Sequence, residues 1–230
     1  MKLPIIIAID TKDVSKAISI IQQSEPFVDH FKIGLEFFLL NGVEGVRKLR
    51  QASNFNLFLD LKLYDIPNTV KGAVESVASL NPKFLTVHAA GGGKMITAAA
   101  QALPGGSITA VTVLTSFSEL EFEALGQKDS ILQTVHNWAD IALKAGATSI
   151  VCSPFEVSAL RNLSNSVTLI TPGVRIDGDD LADQVRVMTP KQAILAGADL
   201  VVIGRPITQL WDASGIKMRD KIDQIAQSLN

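Results

Sequence analysis

Short apolar runs rich in β-branched residues recur along the whole chain, separated by segments with helical periodicity. Two of the helical segments carry apolar stripes, one from Val70 to Leu80 and one from Ile131 to Leu143. The eight predicted strands are Ile5–Asp10, Val28–Ile33, Leu57–Lys62, Phe84–His88, Ile108–Leu114, Ser149–Val151, Thr168–Thr171 and Leu200–Ile203. This alternation predicts a single-domain α/β protein, a (β/α)8 TIM barrel over residues 1–230, with a doubly wound open sheet as the alternative.

The glycine pattern favours the barrel over the open sheet. A dinucleotide-binding sheet carries Gly-x-Gly-x-x-Gly after its first strand, whereas here Asp10 is followed by Thr11-Lys12-Asp13. The run Gly91–Gly93 lacks that spacing, and a tight turn between strand and helix explains it equally well. Further along, Thr189 before Pro190 predicts a helix start, and Gly197 predicts its end.

Charge and composition limit the kinds of molecule that the protein is expected to bind and the compartment in which it is expected to occur. The formal net charge is −2 and no basic stripe occurs, so neither nucleic acid nor an anionic membrane is an expected partner. The apolar run Ile5–Ile9 is too short for a signal sequence or a membrane span, which predicts a soluble, cytoplasmic protein. Cys152 is the single cysteine, so no intrachain disulfide is possible, and we interpret it as a small buried residue rather than a nucleophile.

Polar residues stand at the ends of the predicted strands, where the chemistry of a barrel gathers. They are Asp10, Lys32, Asp60, Lys62, Asp65, His88, Thr115, Ser116, Arg175 and Arg205, with Pro172 and Gly204 shortly before the two arginines. Strand residues two apart share a face, so Asp60 and Lys62 should point with Phe58 into the barrel mouth. Burying one such charge alone is costly, and several of opposite sign neutralise one another. A catalytic charge network is the favoured interpretation, and an ion-pair network that merely closes the barrel is the alternative.

The loops after the last two strands have features of a phosphate site. Gly204 would let the backbone approach an anion, and Arg205 would grip phosphate oxygens in a bidentate manner. The long polar segment Pro172–Met188 includes Arg175, Gln184 and Arg186, and a loop of this length is often a lid. The alternatives are a surface arginine that caps a turn and a surface loop with no role.

Taken together, these motifs resemble those of one enzyme family, the orotidine 5′-phosphate decarboxylases. The matching segments are Phe31–Gly34, Asp60–Val70, Thr86–Ala89, Val113–Ser116, Thr171–Arg175 and Ile203–Pro206. They follow one another along nearly the whole chain. The pattern Asp60-x-Lys62-x-x-Asp65 is shared by a wider suprafamily. The Ile-Pro-Asn-Thr sequence that follows it makes the resemblance to this one family closer. One departure is Ile176, where the family pattern has proline after the loop arginine, which should alter the stiffness of the lid.

The resemblance implies a catalytic role for each charged residue near the third strand. Asp60 would lie beside the substrate carboxylate, and Lys62 would protonate C6 of the pyrimidine. Lys32 would join this charge network and also contact the ribose. Asp65 and Thr69 would reach into the neighbouring subunit's site, so that the active unit is a homodimer with shared active sites.

The resemblance also implies how the nucleotide is held. Asp10 and Lys32 would contact the ribose hydroxyls, Thr115 and Ser116 would lie near the pyrimidine, and Pro172 would belong to the same binding set. The residues that would close on the phosphate are Arg175, Gln184, Gly204 and Arg205. The implied substrate is orotidine 5′-monophosphate and the product UMP, in de novo pyrimidine biosynthesis, with no cofactor and no metal.

The residue types suit this reaction. Loss of CO₂ from orotidine monophosphate leaves charge in an sp² orbital at C6 that the ring cannot delocalise, and no site for an electron-sink cofactor is evident in the sequence. A fixed ammonium from Lys62 would stabilise that charge electrostatically. Two alternatives stay open. An Mg²⁺-dependent sibling, such as a hexulose-phosphate synthase or a ketogulonate-phosphate decarboxylase, needs a carboxylate where Lys32 stands. A non-catalytic phosphate-binding barrel would have no need of Lys62 with both aspartates.

Overall fold

The computed structural model describes residues 2–175 and 188–229, and its strands form one closed parallel barrel. Each strand pairs with the next along the chain, and the first pairs with the last. The strands are β1 Ile5–Ile9, β2 His30–Gly34, β3 Asn56–Leu63, β4 Phe84–His88, β5 Ser107–Val111, β6 Ser149–Val151, β7 Thr168–Thr171 and β8 Leu200–Ile203. The predicted (β/α)8 barrel is therefore confirmed, and the open-sheet alternative is wrong.

Helices follow the strands and cover the outside of the barrel. Within the described ranges they are α1 Val14–Ser24, α2 Leu35–Ala52, α3 Pro67–Ala78, α4 Gly92–Ala102, α5 Glu119–Ala124, α6 Ile131–Lys144, α7 Val157–Leu163, α8 Pro190–Leu195, α9 Arg205–Thr208 and α10 Ile216–Leu229. Both predicted apolar stripes lie on helices, with Val70 and Val74 buried on α3, and Val135 and Ala139 buried on α6. Within those same ranges, no helix is long and apolar enough to cross a membrane.

The core has two layers, because a barrel strand buries side chains on both faces. Ile5, Ile7 and Ile9 of β1 belong to the large cluster between the barrel and the helices. Their neighbours Ile6 and Ala8 point the other way, into a smaller cluster that fills the barrel interior. The remaining buried members of that cluster are Phe58, Phe84, Ile170, Leu200 and Val202. This apolar interior forms a floor beneath the polar strand ends.

The end of β5 differs from the prediction, which carried that strand on to Leu114. The strand ends at Val111. The next residue, Thr112, still reaches β6: its Oγ1 donates to the carbonyl of Val151 over 3.1 Å, and its backbone N–H makes a longer bond of 3.4 Å to the same oxygen. The chain then leaves the sheet. As a result, Val113 and Leu114 belong to a loop over the barrel mouth and not to the wall of the barrel.

The pairing of β3 with β4 is irregular at the polar end of β3. Phe58 and Leu59 pair in register with Phe84 and Leu85, but the next pair is Leu63 with Val87, so the register shifts in between. Lys62 lies in the irregular stretch with a φ of 49°, in the left-handed region that residues other than glycine rarely adopt.

The predicted helix boundary near Thr189 is confirmed. The Thr189 side chain accepts from the N–H of Gln192, and the Gln192 side chain accepts from the N–H of Thr189 in return, which completes a capping box for α8. Pro190 occupies the first turn. Gly197, with a φ of 112°, follows the helix in a conformation that favours glycine.

Candidate active site

A pocket of about 390 Å³ opens at the carboxyl ends of the strands. It is lined by Ala8, Asp10, Lys32, Phe58, Asp60, Lys62, Val111, Val113, Leu114, Thr115, Ser116, Val151, Cys152, Pro172, Gly173, Arg175, Val202, Gly204 and Arg205. Most of the predicted site residues are in this set, although they come from positions spread along the whole chain. Of the others, Asp65 and Thr69 lie elsewhere, and Gln184 lies outside the described residues, as do Ile176 and Arg186.

Asp60 is at the centre of the charged wall of the pocket. The Nζ atom of Lys62 lies 2.8 Å from Oδ1 and 2.9 Å from Oδ2 of Asp60. The Nζ atom of Lys32 approaches the same carboxylate from β2, 3.3 Å from Oδ2. The side chains are 10% exposed for Asp60, 15% for Lys32 and 31% for Lys62. Lys62 is therefore the most open of the three toward the pocket.

The surroundings of Asp60 favour its ionised form. Burial alone would raise the pKa of the carboxyl. The ammonium groups of Lys32 and Lys62, with hydrogen bonds from Lys62 and Thr86, outweigh burial and hold the pKa of Asp60 below its usual value. On the next strand, burial and the charge of Lys62 lower the pKa of His88, so this imidazole is favoured in its neutral form.

Thr86 is a part of this network to which the sequence analysis gave no role. Its Oγ1 accepts a hydrogen bond from the backbone N–H of Lys62 over 2.8 Å and donates one to Oδ1 of Asp60 over 3.0 Å. The side chain is fully buried. The sequence did contain a signal for this role, because Thr86 is the one hydroxyl residue in the strand Phe84–His88 and a buried hydroxyl needs a hydrogen-bond partner.

The opposite side of the pocket is formed by the loops after β7 and β8. Gly204 is the N-cap of the short helix α9, and Pro206 lies in the first turn of that helix. A Cβ at Gly204 would lie 2.8 Å from Oδ2 of Asp10, so glycine leaves room for that carboxylate. After β7, the N–H of Arg175 donates to the carbonyl of Met188 over 3.0 Å, which brings together the described residues on either side of 176–187.

One wall of the pocket is apolar and suits a flat ring. Val111, Val113 and Leu114 line it from β5 and its loop, and Val151 and Cys152 line it from β6. Cys152 is 1% exposed, and burial raises the pKa of its thiol well above the usual value. An inert buried thiol of this kind fits the prediction of a small packing residue.

Asp65 and Thr69 do not line the pocket of their own barrel. Both are exposed, on the loop after β3 and on the first turn of α3. Asp65 Oδ1 accepts from the N–H of Ile66 over 2.7 Å. Tyr64 and Ile66 beside it are 63% and 67% exposed, so Asp65 lies between two large exposed side chains.

The fold and the site together define a class: a (β/α)8-barrel enzyme with a Lys–Asp–Lys array at one side of its mouth and two arginine-bearing loops at the other. Among the residues that the structure describes, no group of three or more histidine, cysteine or acidic side chains is arranged to hold a metal ion. The chain belongs to the orotidine 5′-phosphate decarboxylase / HUMPS family, whose model matches residues 3–214.

Individual relatives agree with this assignment. The chain is 49% identical to orotidine 5′-phosphate decarboxylase from Thermobifida fusca (strain YX), over 92% of this chain and 91% of the relative. It is 43% identical to the enzyme of the same name from Haemophilus influenzae (strain PittEE), over 91% of this chain and 93% of the relative. A crystal structure of orotidine 5′-phosphate decarboxylase from Lactobacillus acidophilus superposes with a TM-score of 0.82 at 31% identity, covering 99% of each chain.

Proposed function

We propose that the protein is a carboxy-lyase that converts orotidine 5′-monophosphate to UMP in de novo pyrimidine biosynthesis. The observation that carries the proposal is the carboxylate of Asp60, held between the ammonium groups of Lys32 and Lys62 in a pocket with arginines across from it. The names of the relatives agree with it, since each is an orotidine 5′-phosphate decarboxylase.

In this proposal the reacting carbon lies beside Lys62. The C6–carboxylate bond breaks, CO₂ leaves, and the electron pair stays on C6. The Lys62 ammonium stabilises that pair electrostatically and then transfers a proton to C6. Asp60 lies next to the departing carboxylate and holds Lys62 in place through both of its oxygens. A charge fixed in advance needs little reorganisation during the reaction, and this supports a route without an electron sink.

The rest of the pocket would bind the nucleotide. Asp10 and Lys32 would contact the ribose, and the pyrimidine would lie against the apolar wall near Thr115, Ser116 and Pro172. The phosphate would be held at the far side by Arg175, Gln184, Gly204 and Arg205. The phosphate would lie far from C6, and its binding energy would drive closure of the segment between β7 and α8 over the site.

We also propose that the active form is a homodimer in which Asp65 and Thr69 complete the partner's site. In support, both residues are exposed and lie outside their own pocket, next to the exposed Tyr64 and Ile66. Leu39 and Leu40, on the helix after the neighbouring strand, are 79% and 64% exposed. An interface that buried these side chains would bring Asp65 to a second copy of the chain. We place the enzyme in the cytoplasm and treat residues 1–230 as one catalytic domain.

The direct test is a spectrophotometric assay for loss of orotidine monophosphate in the presence of EDTA. We expect full turnover, because the Lys–Asp–Lys array needs no divalent cation. No turnover with or without Mg²⁺ would contradict the proposal. Turnover that required Mg²⁺ would indicate the chemistry of the metal-dependent siblings, which would also contradict it.

Removal of the central ammonium tests the mechanism. We expect Lys62→Ala to lower kcat by at least about a thousandfold, because both the electrostatic stabilisation and the proton donor are lost. Lys144→Ala, on the outer surface of α6, is the matched control and should retain wild-type kcat. Circular dichroism of both variants establishes that the barrel is folded. A folded Lys62→Ala protein with wild-type turnover would remove the central claim.

A further inference from the structure

The buried hydroxyl of Thr86 connects two parts of the charge network, the backbone of Lys62 and the carboxylate of Asp60. The same oxygen accepts from the backbone N–H of Lys62 and donates to the side chain of Asp60, over 2.8 and 3.0 Å. Thr86 itself lies on β4 and does not line the pocket. It therefore contacts the residues that meet the substrate without meeting the substrate itself.

We propose that Thr86 is a positioning residue for the decarboxylation, which fixes Lys62 and Asp60 relative to each other through one hydroxyl. This inference rests on the function proposed above, because it assigns Thr86 a role in that reaction alone.

The backbone of Lys62 explains why a side chain must act here. The register of β3 against β4 shifts between Leu59 and Leu63, so Lys62 lies where the regular ladder of backbone hydrogen bonds is interrupted. The Thr86 hydroxyl satisfies the N–H of Lys62 at that point. Lys62 also has a φ of 49°, a conformation that costs energy for lysine and persists when its surroundings hold it. Loss of the Thr86 acceptor would release that constraint.

The carboxylate of Asp60 depends on the same hydroxyl. Its Oδ1 receives Nζ of Lys62 and the hydroxyl of Thr86, and its Oδ2 faces the ammonium of Lys32. Both lysine side chains are long and have several rotatable bonds, whereas Thr86 is short and belongs to a buried strand. Thr86 is thus the rigid contact that sets the orientation of the carboxylate plane, and the ammonium groups follow it.

The geometry requires a group that donates and accepts at one position. Serine supplies both, and valine has the shape of threonine but supplies neither. Thr86→Val would leave a buried N–H of Lys62 without its partner and remove one donor from Asp60. Misplacement of a catalytic group by about 1 Å lowers turnover by on the order of a hundredfold. We therefore expect Thr86→Val to reduce kcat roughly 10- to 100-fold, with KM within about twofold of wild type, because the nucleotide-binding loops are untouched.

The experiment compares Thr86→Val and Thr86→Ser with Thr109→Val as the matched control. Thr109 is also a fully buried threonine on a barrel strand, and its hydroxyl bonds to Ser149 and not to the charge network. We expect Thr86→Ser to recover kcat to within a few-fold and Thr109→Val to keep wild-type kcat, although it loses a buried hydrogen bond as Thr86→Val does. Wild-type kcat in folded Thr86→Val would overturn the inference, as would an equal loss of kcat in Thr109→Val.

Failure of this inference and failure of the proposed function give different results. If the wild-type protein does not turn over orotidine monophosphate, the function fails whatever Thr86 does. If the wild-type protein is active and Thr86→Val is equally active, the role of Thr86 alone is overturned. Should Thr86→Val not fold, Thr86→Cys places only a weak donor and acceptor at this position, so its kcat should fall below that of Thr86→Ser. A folded Thr86→Cys protein whose kcat equals or exceeds that of Thr86→Ser would then overturn the inference.

Discussion

One carboxylate, Asp60, sets the positions of two ammonium groups from two strands. Lys32 approaches from β2 and Lys62 from the irregular end of β3. Gly34 leaves room for one of these ammonium groups: a Cβ there would lie 3.3 Å from Nζ of Lys32, so a side chain would press the ammonium a few tenths of an ångström aside. The charges around the reaction centre are thus positioned both by their hydrogen bonds and by the space that glycine leaves.

At the phosphate end, Arg205 is the residue to test. We expect Arg205→Ala to lower kcat/KM by about a hundredfold or more, since a charge-assisted grip on a dianion is lost and its binding energy no longer drives closure. Added guanidinium cation should restore part of the activity of the variant, because it supplies the charge and the donors that the substitution removes. Steady-state kinetics with and without guanidinium provide the measurement.

The control for that experiment is Arg219→Ala, which removes an exposed arginine from α10. It should leave kcat/KM unchanged and show no response to guanidinium. Wild-type kinetics in Arg205→Ala would contradict the assignment of the phosphate site to the loop after β8.

At the scale of elements, hydrophobic pattern and turn residues were sufficient to locate the strands and to assign the closed barrel. Four strands begin and end at the residues that the pattern predicts, namely β4, β6, β7 and β8. The pattern failed at the end of β5, where the hydroxyl of Thr112 bonds to Val151 and the chain leaves the sheet. Such a side-chain bond depends on a neighbouring strand and leaves no periodic trace in the sequence.

The charged residues of the candidate site were also predicted from the sequence, but one of their buried partners was not. Strand-end position and side-chain parity brought Asp60, Lys62 and Lys32 together correctly. The contribution of Thr86 was not predicted, because it depends on the shifted register between β3 and β4 and on the left-handed φ of Lys62. Both arise from packing between strands. Local propensity argues against a left-handed lysine and so could not have indicated one.

The capping box of α8 offers a test at this scale. Thr189→Ala should lower the free energy of unfolding by about 1 kcal/mol, because the N–H of Gln192 loses its acceptor at the helix start. Thr189→Ser keeps the hydroxyl and should lie close to wild type. Urea denaturation monitored by circular dichroism measures both. An unchanged midpoint in Thr189→Ala would show that the cap contributes little to the stability of the barrel.

For the molecule as a whole, the arrangement of Asp65 outside its own pocket predicts complementation between subunits. Lys62→Ala and Asp65→Ala should each be nearly inactive alone. Mixed after unfolding and refolding together, they should recover roughly a quarter of wild-type activity, because half of the dimers are mixed and each mixed dimer contains one intact site.

The control for the mixing experiment is the double variant Lys62→Ala/Asp65→Ala, refolded with either single variant. No mixed dimer in that case has a complete site, so no activity should return. A mixture of the two single variants that stays inactive, while size-exclusion chromatography shows dimers, would contradict the shared site.

Closure of the barrel has a consequence for synthesis on the ribosome. The first strand, β1, has β8 as one of its two neighbours, and that partner is made last among the strands. At ordinary elongation rates the interval between them is roughly 10–40 s. Throughout that time the nascent sheet has two unpaired edges, one at β1 and one at its newest strand, and each is a template for association with other chains. Arg205 begins helix α9 directly after β8, so the nascent chain acquires this proposed phosphate contact when the vulnerable edges disappear.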